Sequence, residues 1–106
     1  MKTIPDELEI TLARSVTLGT GDDATEYSVI RLQEPTVDQL SQFFRKTTSE
    51  NAVDSMKFLI SIVSGTPLPV LAKIGVRDFY KAQAYMIAFI TPPADGDPEG
   101  NVGGSQ

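Results

Sequence analysis

The side chains best equipped for chemistry in this chain are carboxylates. Asp95-Gly96-Asp97-Pro98-Glu99-Gly100 sets acids at alternate positions with a glycine at the sixth, as the start of an EF-hand calcium loop does. The twelfth position of such a loop falls on Gln106, where calcium takes a bidentate glutamate, and no helix follows, so the run reads as a solvated acidic stretch. Asp54 and Asp78 are a second possibility, since two carboxylates brought together can share a proton and act as acid and base. Each also stands near the start of a helical segment, where negative charge is favoured without any partner. The remaining catalytic inventory is thin. The chain has no histidine and no cysteine, which removes the commonest general base, the thiolate nucleophile and the commonest transition-metal ligands. It has neither a Gly-x-Ser-x-Gly elbow nor a phosphate-binding glycine loop. The expectation is a protein that is not an enzyme and carries no metal or cofactor.

The elements that would have to position these groups are legible from periodicity. Leu8, Ile10 and Leu12 alternate with Glu9, Thr11 and Ala13, the pattern of a strand with one apolar face, continuing through Val16 to Leu18. Gly19-Thr20-Gly21-Asp22-Asp23 is a dense turn signal, and Tyr27 to Gln33 returns as a second strand, giving a β-hairpin with a longish, mobile loop. Pro35 cannot donate to a sheet ladder and biases Glu34 away from the α region, so the strand ends there. Thr36 can then cap a helix, with Gln39 three residues on completing a capping box. The first helix is predicted over Val37 to Lys46, with Val37, Leu40, Phe43 and Phe44 as one stripe. A second, capped by Ser49 or Asn51, runs to Ser64 and stops at Gly65, with Ala52, Met56, Leu59 and Val63 inside. A short helix lies between Pro67 and Ile74. A last helix, opened or capped by Asp78, runs from Arg77 to Thr91, with Phe79, Ala82, Met86 and Ile90 on one face.

Composition bounds what such a body can do. One domain is expected over residues 1–91, followed by a tail over 92–106 holding four glycines, three prolines, three acids and no base. That tail is expected to be disordered, because it has too little to bury to offset the entropy of ordering. Net charge is −5, which argues against sequence-independent nucleic-acid binding. The two helices around Thr47-Thr48-Ser49 resemble a helix-turn-helix only in order, since Glu50 and Asp54 would repel phosphates. No run of about 18 apolar residues exists, so no membrane span is expected, and Met1 to Glu7 lacks the apolar centre of a signal peptide. What remains is an apolar excess. Phe58, Ile60 and Ile62 on the second helix and Tyr85, Ile87 and Phe89 on the last exceed what one small core needs, and such an excess marks a partner or oligomer contact. Phe58, Ile62, Tyr85 and Phe89 are the residues expected to form that sticky face.

The order of these features resembles a known family. A hairpin leads into Arg31-Leu32-Gln33-Glu34-Pro35-Thr36 and a helix with Asp38 and Leu40. An apolar helix follows, ending in Ser64-Gly65, then Leu68-Pro69 with Leu71 and Ile74, then Asp78-Phe79 opening a final helix. Over roughly residues 8–91 this is similar to the tail assembly chaperones of Mu-like and related contractile-tailed bacteriophages. The resemblance implies an α+β fold, a hairpin packed on three or four short helices. It implies a non-catalytic protein of the host cytoplasm that binds the tape measure protein, keeps it soluble and helps recruit tail tube subunits. Many members are made in two lengths by a ribosomal frameshift near the C-terminus. Under the resemblance, Glu34, Pro35, Thr36, Asp38, Leu40 and Asp78 are architecture. The other reading of the same apolar surface is a structural tail or head–tail component that assembles into a homo-oligomeric ring.

Overall fold

Alternation of apolar and polar residues builds the hairpin. β1 (Glu7–Leu18) and β2 (Thr25–Gln33) pair antiparallel, with Leu8 opposite Leu32 and Ile10 opposite Ile30 on the inner face. Glu9 lies opposite Arg31 on the outer face, and the two form an exposed ion pair at 2.8 Å that contributes less than about 1 kcal/mol. The computed structural model describes residues 4–91; the stretch expected to be a disordered tail lies outside them.

The hairpin turn is tighter than its sequence suggests. Gly21–Asp23 form one 3-10 turn, closed by Asp23 N–H to Thr20 O at 3.1 Å and Ala24 N–H to Gly21 O at 3.2 Å. Gly19 has φ +95°, and a Cβ there would lie 2.9 Å from the Asp23 carbonyl oxygen, so only glycine fits. Farther along β1 the ladder breaks. Thr11 pairs with Val29 and Val16 with Tyr27, leaving Leu12–Ser15 on β1 against Ser28 alone on β2. This bulge frees a backbone N–H that must find another acceptor.

Four helices follow: α1 (Val37–Lys46), α2 (Ala52–Ser64), α3 (Leu68–Leu71) and α4 (Val76–Ile90). α1 starts as the sequence predicts. Thr36 Oγ1 accepts from Gln39 N–H at 3.1 Å and Gln39 Oε1 accepts from Thr36 N–H at 3.0 Å, a complete capping box. Replacing Thr36 with alanine is expected to cost about 1 kcal/mol, read as a lowered urea midpoint with an unchanged m-value. Asn51, rather than Ser49, caps α2, its Oδ1 accepting from Asp54 N–H at 2.7 Å. Gly65 ends α2 in the left-handed region at φ +76°, its N–H donating to Ser61 O. Pro67 and Pro69 sit at the start of α3, where no intrahelical donor is needed.

The core lies between the inner hairpin face and α2, with α4 closing one side. Ile30, Leu32, Leu59, Ile60 and Met86 are almost wholly buried. α2 touches α1, β2, α3 and α4, which makes it the central helix. Its buried arc is Ser55, Met56, Leu59 and Ile60, whereas Ala52 is exposed and Val63 half-buried. The arc is thus rotated from the expected stripe, because α2 meets neighbours on several sides rather than one.

Candidate protein-binding surface

The two carboxylates that sequence singles out have separate partners. Asp54, in the first turn of α2, pairs with Lys57 at 3.2 Å. Asp78, in the first turn of α4, is 4% exposed. Its Oδ2 accepts the Ala13 N–H at 2.9 Å, and its Oδ1 stands 3.8 Å from the Lys81 ammonium. Ala13 belongs to the β1 bulge, so the buried carboxylate satisfies the N–H that the broken ladder releases. Asp78 therefore does not cap α4; Gly75 occupies that position. Among the described residues no cluster of three or more histidine, cysteine or acidic side chains could hold a metal ion, and no helix is long and apolar enough to cross a membrane. The calcium-loop-like Asp95–Gly100 run lies outside the described residues.

The apolar excess is distributed differently from expectation. Tyr85 is buried, its hydroxyl donating to the Pro5 carbonyl at 2.6 Å and its ring meeting Phe89 edge-on at 5.1 Å. It belongs to the core and is not part of an exposed face. This hydrogen bond ties the N-terminal segment to α4 across 80 residues of sequence. Burial, with the negative charges of Asp6, Glu7 and Glu34, raises the Tyr85 pKa above the ordinary phenol value. Phe58, Ile62 and Phe89 are half-buried: Ile62 and Phe89 pack against the core, and Phe58 lies under the Lys46 ammonium at 4.9 Å. Ile60, also expected in the excess, is wholly inside.

Of that excess Ile87 is exposed, at 39%; of the other exposed large apolar side chains, Leu68 stands at the start of α3 and the rest fall into two patches. On α1, Phe43 turns into the core while Val37 and Phe44 stay out, at 84% and 51% exposure. With Leu40 and Ser41 they line a shallow apolar groove along the outer side of α1. The second patch surrounds the starts of α2 and α4. Val53, Ile74 and Val76 border a hollow floored by Leu71 and Phe79, and the Tyr80 ring lies beside that of Phe79. Lys57 stands on the rim, and exposed Lys73, Arg77 and Lys81 belong to the same α3–α4 region. Val76 and Tyr80 are about 60% exposed. A signal for the first patch was present in the seven-residue spacing of Val37 and Phe44; for the second, no periodicity links Val53 to Val76.

A small α+β body that leaves apolar patches uncovered has a surface of the kind that other proteins cover. A family model described as "Phage tail assembly chaperone proteins, E, or 41 or 14" matches residues 9–91, and the chain belongs to that family. No curated protein and no solved structure matches it. Membership makes it a phage tail assembly chaperone, which points to tail proteins as partners and to a non-enzymatic role.

Proposed function

We propose that the chain binds the tape measure protein in the host cytoplasm, keeps it soluble during tail assembly and helps bring tube subunits to it. The observation that carries this reading is the patch of Val53, Ile74, Val76 and Tyr80, left open beside a hollow at the starts of α2 and α4. An amphipathic helix of the client lays its apolar side chains into such a hollow, helix-in-groove fashion. Lys57, Lys73, Arg77 and Lys81 provide a basic surround that suits acidic residues flanking the client's apolar stripe. Phe58, in the neighbouring hollow that Lys57 shares, extends the contact, while half-buried Ile62 and Phe89, toward the other ends of α2 and α4, meet a separate part of the client. The net charge of −5 keeps the complex soluble.

The test is co-expression of the chain with the tape measure protein, followed by measurement of the soluble complex. Val76→Glu with Tyr80→Ser leaves the fold intact, since both side chains are mostly exposed and an acid suits the first turn of α4. Losing two anchors is expected to weaken client binding by roughly ten- to a hundredfold, on about 1 kcal/mol or more apiece. Unchanged client solubility and affinity in this folded variant would remove the patch from the mechanism. Finding the chain as a stoichiometric part of finished particles would favour the structural-component reading instead.

A further inference from the structure

The groove on α1 carries a pattern that the client reading does not use. Val37 and Phe44 are seven residues apart, hence about two turns apart on one side of the helix. Asp38 and Arg45 are also seven apart, on one flank of that side, with Leu40 and Ser41 midway. Neither Asp38 nor Arg45 has an ion-pair partner among the described residues. Each is steadied within the helix: Gln42 Nε2 donates to Asp38 Oδ2 at 2.9 Å, and Arg45 Nη1 donates to Ser41 Oγ at 3.2 Å.

This arrangement is its own complement under a two-fold rotation. A second α1 laid antiparallel, with the axis near Leu40 and Ser41, sets Val37 against the partner's Phe44 and Asp38 against the partner's Arg45, each contact occurring twice. Both charges lie on the same flank, and a two-fold axis perpendicular to the helices keeps that flank on one side of the pair. In a parallel pair the two-fold axis runs along the helices and sends the charged flanks to opposite sides, so Asp38 and Arg45 would find no complement across the contact. The small Ser41 near the axis permits close approach of the helices. We infer that the α1 groove is a homodimer contact in which two copies pair antiparallel through Val37, Leu40 and Phe44, with Asp38 and Arg45 setting the direction.

A face of one ten-residue helix is smaller than the roughly 800 Å² per partner of a standard interface. The dimer is therefore weak and reversible, with a Kd of roughly tens to hundreds of micromolar, and salt loosens it. The inference goes beyond the client reading and does not rest on it, because the contact is measured without any client.

The experiment is sedimentation equilibrium of the full 106-residue chain over about 10 μM to 1 mM. The wild type is expected to show a monomer–dimer equilibrium. Asp38→Arg alone and Arg45→Asp alone each oppose like charges twice and should weaken dimerisation at least tenfold. The double variant restores complementarity and should dimerise again. Mixing the two single variants should give a heterodimer tighter than either homodimer, since every charge then meets its opposite. That mixture also reports that both single variants remain folded. A strictly monomeric wild type overturns the inference. So does a dimer indifferent to the single reversals, or reversals that neither the double variant nor the mixture rescues. A dimer lost with Phe44→Ala yet insensitive to the charge changes would overturn the antiparallel arrangement.

Discussion

Replacing Asp78 with alanine is expected to destabilise the fold by about 3 kcal/mol, a fall in Tm of roughly 10–20 °C for a body of this size. The argument starts in β1, whose bulge leaves the Ala13 N–H without a strand partner. The acceptor is a buried carboxylate 65 residues away at 2.9 Å. A hydrogen bond to an ionised acceptor contributes about 1.5–3 kcal/mol, and removing the acceptor also strands the donor. Asp78 sits in the first turn of α4, where its charge adds a few tenths of a kcal/mol through the helix dipole. Asp78→Asn keeps an acceptor oxygen but not the charge, and should lose roughly half as much. Urea unfolding gives the magnitudes. Hydrogen exchange gives the mechanism: in Asp78→Ala the Ala13 amide should lose protection by more than the global loss of stability accounts for. A change below about 0.5 kcal/mol would mean that water serves the bulge equally well.

What the sequence made legible follows from how local each feature is. The Pro35-Thr36-x-x-Gln39 junction is decided within five residues, and the structure forms both capping hydrogen bonds. The bounds of α1 and the end of α2 at Gly65 are local in the same sense, set by residues next to the ends they terminate. Which side of each helix faces inward was harder. Phe43 and Phe44 are neighbours of identical type, and only the position of α2 sends one inside and the other out. Ile60 counts as excess only for a core that covers α2 from one side, whereas α2 is covered from several. The bulge in β1 shifts register without any glycine or proline to mark it, so its dependence on Asp78 could not be anticipated. Apolar residues are densest on α2 and at the end of α4. Those parts mostly build the core, and apart from Ile87 the uncovered residues mark helix starts and the outer side of α1.

Tyr85 gives the second large effect, and its variants separate a core role from a surface one. Tyr85→Ala should cost about 3–4 kcal/mol, in the range for truncating a buried aromatic, because the ring is 7% exposed and packs edge-on against Phe89. Tyr85→Phe keeps the ring and removes only the hydroxyl that holds the Pro5 carbonyl, so about 1 kcal/mol is expected. A contact residue on an open face would show the reverse signature, with little stability lost and binding impaired. The pH dependence follows from the raised pKa. Burial, and then Asp6, Glu7 and Glu34, disfavour the phenolate in the folded state. The unfolded chain therefore releases this proton first. The stabilisation is fully present below about pH 10, the ordinary phenol value, and is lost as pH rises through the higher folded pKa. Tyr85→Phe has no proton to release, so its deficit against the wild type should shrink above about pH 10 and vanish or change sign at higher pH. Urea midpoints for both proteins at about pH 8, 10 and 11 measure this directly. A deficit that stays constant across that range would show that the hydroxyl ionises as freely folded as unfolded, and that the N-terminal segment does not shield it.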